Sequence, residues 1–129
     1  MSAANDHARV LLDKANNDLI AAHATLPTGQ AFDTVCFHAQ QAVEKALKAV
    51  LAWHDIDYPW THDLRELVAI VKPILPLLSN YERRIIALIP FAVIIRYSGL
   101  DEPSREETET SLTLAVEVCH LIQSHIADR

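Results

Sequence analysis

Between Phe32 and His54 the apolar residues Phe32, Cys36, Ala39, Val43, Leu47 and Val50 recur at helical spacing. Thr34, His38, Gln41, Lys45 and Lys48 trace a second line along the same segment, in steps of four, three, four and three. The pattern predicts a helix over 32–54 with one face in the core and a polar stripe on the other.

The flanking segments read the same way. Residues 5–25 form an amphipathic helix whose inner side is marked by Val10, Ala15, Leu19 and Ala22, and which Pro27 and Gly29 close. The Tyr-Pro-Trp-Thr-His-Asp-Leu stretch ends the second helix, and a third starts at Thr61, buries Leu64, Leu67, Val68 and Val71, and stops at Pro73 and Pro76. Ser79 or Asn80 caps a fourth that runs through Ile85, Ile86, Leu88 and Ile89 toward Arg96, with Pro90 breaking its straightness. Tyr97 to Pro103 reads as a loop. Ser104 with Glu107 matches a capping box and opens a last helix over 105–127, with Leu112, Ala115, Val116, Cys119, Ile122 and Ile126 turned inward. Glu106, Glu107 and Glu109 near its start complement the helix dipole. The expectation is an all-α bundle of about five helices.

Composition narrows this further. A chain of 129 residues with half its positions hydrophobic and two glycines suits one helical domain spanning 1–129. The formal charge of −6 excludes a generally basic nucleic-acid coat, but it is uneven. Residues 61–100 carry five basic against three acidic side chains, whereas 101–129 carry two arginines against seven acids, so any nucleic-acid surface must be local. Cys36 and Cys119 fall beside apolar residues and read as reduced, buried thiols. The amino terminus lacks an apolar signal core. The longest apolar run, Ile85 to Ile95, has eleven residues with a proline inside, short of the roughly twenty a bilayer span needs. A cytoplasmic protein is expected, with no membrane contact. The same run offers more apolar residues than one face of a single helix requires, which points to a homodimer.

Candidate chemistry centres on the stripe. His38, Gln41, Lys45 and Lys48 could line a phosphate site, since lysine supplies a point charge and neutral side chains supply direction. Equally, the stripe could be a solvated face with Glu44 and Lys48 paired four residues apart. His62 and Asp63 stand where the third helix begins and free amides favour anions, although Asp63 could simply cap the helix while His62 packs on Trp60 or bonds a carbonyl. Arg96 must emerge from, or be paired within, an apolar region, with an acid such as Glu44 or with a ligand. Seven histidines invite a metal, but none has ligand spacing, and His120 and His125 point about 140° apart on a helix. No glycine-rich phosphate loop, nucleophile elbow or paired-cysteine motif occurs, so no catalytic residue, metal or cofactor is assigned.

The FHAQQAVEKALKAVL helix, the YPWTHDLREL junction, and Ile95-Arg96-Tyr97 followed by a loop and an acid-capped last helix together resemble the HEPN family across nearly the whole chain. The resemblance implies an up-and-down helical bundle, frequently dimeric, associated with nucleotide or RNA binding and often encoded with a minimal nucleotidyltransferase. It adds weight to His38 and Lys45 as ligand contacts. Many members are metal-independent ribonucleases in which an arginine is followed after four to six residues by a histidine. This chain lacks that spacing. After Arg96 those positions hold Asp101, Glu102 and Pro103; after Arg65 they hold Ile70, Val71 and Lys72; Arg9, Arg83, Arg84 and Arg105 fail as well.

The expectation is therefore a nucleotide- or RNA-associated binding module, plausible partner of a small nucleotidyltransferase in a toxin–antitoxin-like pair, with His38, Gln41, Lys45, His62, Asp63 and Arg96 as ligand contacts. Its rivals are a ribonuclease toxin with an atypical site around His62 and Arg96, and a purely structural interaction protein.

Overall fold

The computed structural model describes residues 2–92 and 102–127. Among them are five α-helices and no strand, arranged as an up-and-down bundle. α1 spans Ala3–Thr25, α2 Phe32–Trp53, α3 Leu64–Val71, α4 Glu82–Ile86 and α5 Arg105–Ala127.

Local chemistry sets these ends. Ser2 caps α1 by accepting from the Asn5 amide. A single 3₁₀ turn at Leu26–Thr28 follows, and the chain reverses through left-handed conformations at Gly29 (φ 70°) and Ala31 (φ 55°) before α2. At the head of α5, Ser104 Oγ accepts from the Glu107 amide while Glu107 accepts from the Ser104 amide, closing the box the sequence predicts.

α2 is the axle of the bundle. It packs most extensively on α1, then on α5, and also meets α3 and the turn at Ile89–Ala92. Val35, Ala39, Val43, Leu47, Val50 and Leu51 are all fully buried along it. The α1–α2 seam is built from small side chains: α1 buries Ala8, Ala15 and Ala22, and α2 buries Ala39, Ala42, Ala46 and Ala49. Alanines there let the helices approach closely while keeping good helix propensity.

Several expectations change. Val10 is 48% exposed and Val116 37% exposed, so neither belongs to the inner stripe of its helix; Ala8 and Val118 are buried instead. The third helix begins at Leu64 rather than Thr61, because Asp63 acts as its N-cap and takes the Arg65 amide. The fourth ends at Ile86 and gives way to a 3₁₀ turn at Ile89–Ala92, in keeping with a proline ring at position 90 that cannot continue the α-helical hydrogen bonding. Within the apolar run, Ile85 and Leu88 are buried in the chain's own core and Ile86, Ile89 and Phe91 are half-buried. No helix among the described residues is long and apolar enough to cross a membrane.

Candidate functional site

The polar stripe of α2 lies where the sequence places it. Thr34, His38, Gln41, Lys45 and Lys48 are all half-buried, while the positions between them are mostly buried. Two inward-facing carboxylates organise it, one from α1 and one from α2 itself.

The first is Asp18. It sits three residues after Ala15 and four before Ala22, on the buried side of α1. Its Oδ1 meets His38 Nδ1 at 2.8 Å, and its Oδ2 accepts from Lys45 Nζ at 2.6 Å. His38 and Lys45 are two helical turns apart, roughly 10 Å along the axis, and reach the same carboxylate from either side. A buried carboxylate left without such partners would be costly, so the three side chains lock one another.

The second is Glu44, 3% exposed. Gln40 donates to Oε1 at 3.2 Å, Lys48 donates to Oε2 at 3.1 Å, and His62 Nδ1 meets the same Oε2 at 2.8 Å. Gln41 extends the chain by donating to Gln40 Oε1 at 2.7 Å. Burial alone would push the Glu44 carboxyl up, yet the hydrogen bonds from His62 and Lys48, the Lys48 charge and the Gln40 amide outweigh it and hold the group below its ordinary value.

Five of the six predicted ligand contacts have a definite place. His38 and Lys45 come together on Asp18. Gln41 joins the Glu44 network, and His62 is drawn into it from the loop before α3. Asp63 turns its carboxylate to the Arg65 amide. Arg96 lies outside the described residues. Asp18 and Gln40 were not among the predicted residues; the signal for Asp18 is an acid at the inner spacing of an amphipathic helix, and for Gln40 a polar side chain four residues before Glu44 on a face otherwise apolar.

The arrangement has a chemical consequence. Both histidines turn Nδ1 to a carboxylate, which leaves Nε2 on the opposite edge of the ring; His62 is 71% exposed in its side chain. The formal charges of Lys45 and Lys48 are matched by Asp18 and Glu44, so this face acquires positive charge when an imidazole takes up a proton. No group of three or more metal-ligating side chains occurs among the described residues.

A model of the HEPN domain family matches residues 8–125. The crystal structure of an archaeal HEPN homologue superposes with a TM-score of 0.69 at 16% identity, covering 93% of this chain and 98% of that one. No curated protein sequence matches the chain.

Proposed function

The chain belongs to the HEPN domain family, and on that premise we propose that it is a nucleotide- or RNA-associated binding module whose phosphate-contacting face is the polar stripe of α2. The observation that carries the reading is the placement of His38 and Lys45 on Asp18, and of His62 on Glu44, which fixes three donors along one side of the bundle. Gln41 supplies a neutral amide between them. A phosphate arriving there competes with the carboxylates for the lysines and takes hydrogen bonds from the imidazoles. Binding is then weaker in salt.

The test is titration of a labelled oligoribonucleotide, and separately of adenosine nucleotides, into wild type, Lys45→Ala and His62→Ala, with melting curves to establish folding. Loss of binding in the folded variants supports the reading. Absence of binding by wild type, or equal binding by all three proteins, overturns it.

A small nucleotidyltransferase as partner in a toxin–antitoxin-like pair, and a cytoplasmic setting, belong to the same proposal. Homodimerisation does too, and a surface suits it: the groove between α1 and α5, where Leu12, Leu19 and Cys119 underlie the exposed side chains of Ile20 and Val116.

One observation favours ribonuclease chemistry as a second reading. An imidazole steered by a carboxylate is the usual form of a proton-transferring histidine, and this face carries two of them. The spacing of arginine and histidine used by catalytic members of the family is nonetheless absent. Incubation with transfer RNA in chelator decides between the readings: intact RNA leaves the binding module, whereas cleavage abolished in His38→Ala or His62→Ala establishes the enzyme.

A further inference from the structure

The loop between α2 and α3 carries an indole that nothing in the described chain covers. Trp60 is 99% exposed, the reverse of where a tryptophan usually lies. It is held out by anchors on both sides. Two residues before it, the Tyr58 hydroxyl bonds His7 Nε2 at 2.9 Å, and the Tyr58 ring lies 5.7 Å from the Lys48 ammonium. Two residues after it, His62 is fastened to Glu44 at 2.8 Å. With the chain held on either side, only the two side-chain torsions of Trp60 need be ordered when the indole enters a partner, a small cost for an interface anchor.

The surroundings select the partner. Asp55, Asp57, Asp63 and Glu66, all within six residues of Trp60 in the chain, are exposed, against Arg65 alone among the lysines and arginines of residues 55–66. Four carboxylates repel a phosphate backbone. They also keep this loop out of the end of the α1–α5 groove on a second copy, where Glu109 and Glu117 stand. Cations, by contrast, match both the carboxylates and the electron-rich ring face. The chain itself uses that pairing repeatedly, with Arg9 over Trp53 at 5.2 Å, Arg84 over Tyr81 at 5.1 Å and Arg105 over Phe32 at 5.1 Å.

We propose that Trp60 anchors a protein-docking loop, and that its partner is a protein surface bearing an arginine or lysine beside an apolar slot for the indole. The loop adjoins the phosphate-contacting face of α2 through His62, but the proposal stands on Trp60 and the carboxylates near it in the chain and does not rest on that reading.

A random peptide library displayed on phage, selected against the full chain, tests this directly. Enriched peptides should carry arginine or lysine next to apolar residues. Measured by polarisation of the labelled synthetic peptide, Trp60→Ala should weaken binding by about 30-fold or more, the scale of an interface hot spot. Asp57→Lys should weaken it independently, and added salt should do the same. Melting curves matching wild type would show both variants folded, as expected for exposed positions. Lysine or arginine absent from the enriched peptides, no enrichment at all, or peptides retained by folded Trp60→Ala would overturn the proposal. So would binding of a single-stranded oligouridylate that is lost in Trp60→Ala, which would assign the loop to nucleic acid. Lys45→Ala should leave peptide binding unchanged, so that failure here and failure of the phosphate site are told apart.

Discussion

Glu44 and His62, eighteen residues apart in the chain, meet at 2.8 Å between Oε2 and Nδ1. One is buried at the middle of α2 and the other is mostly exposed in the loop before α3. Their contact ties an exposed loop to the centre of the bundle, so electrostatics and architecture are coupled at this point.

Acid should reveal that coupling. The carboxyl of Glu44 is lowered in the folded state, so its contribution to stability is complete above the ordinary value of 4.5 and is lost as pH falls through the lower folded value. Glu44→Gln should be less stable than wild type at pH 7, and the gap should close as both are taken well below pH 4.5. Denaturant unfolding at a series of pH values measures it; a gap that stays constant on acidification would remove the linkage.

Asp18 offers a different separation of effects. Replacing it with Asn leaves Lys45 and His38 without their shared carboxylate and should cost about 1–3 kcal/mol of stability. The same change frees Lys45 for an anion. If the α2 face binds phosphate, Asp18→Asn should bind nucleotide or RNA more tightly than wild type while melting lower. Weaker binding by a folded Asp18→Asn protein would mean that the carboxylate's positioning of His38 and Lys45 outweighs its competition with the anion.

The alanine seam makes a steric prediction. Ala22 is fully buried and clusters with Val35 of α2 and Leu112 of α5, where a larger side chain has to displace a helix. Ala22→Leu should lose about 1–3 kcal/mol by overpacking, although leucine is itself a good helix former. Unchanged or raised stability in urea would mean that the seam holds a void.

For the oligomer, light scattering behind size exclusion should give about twice the 14.4 kDa chain mass for wild type. Ile20 is 59% exposed in the α1–α5 groove, so Ile20→Glu should yield the single-chain mass with an unaltered fold by circular dichroism. A dimer that survives this substitution uses another surface.

The helices could be read from the sequence wherever one face had to meet the core. The stripe at 34, 38, 41, 45 and 48 emerges at the expected positions because a central helix buries nearly everything else. What periodicity does not encode is the partner across a helix interface. Lys45 looks like a free cation until Asp18 comes in from α1, and His62 looks like a helix-start donor until Glu44 claims it. Val10 and Val116 fall outside the inner stripes for a related reason: a valine at the edge of an apolar stripe is inward or outward according to how far the neighbouring helix extends, and Val116 lines the open α1–α5 groove. In the fourth helix the proline outweighed the apolar run around it.

Both thiols lie between α2 and α5. Cys36 contacts Thr108 Oγ1 at 3.6 Å, and Cys119 contacts the Ala42 carbonyl at 3.7 Å. Burial pushes both up, Cys119 to about 12, with the Asp18 charge adding to it. A thiol of that kind is closed to alkylating reagents until the last helix lifts away from the axle. Labelling rate at Cys119 thus becomes a clock for that opening, supplied by the native chain without any introduced probe, and a ligand or partner that clamps the bundle will be heard as a slower tick.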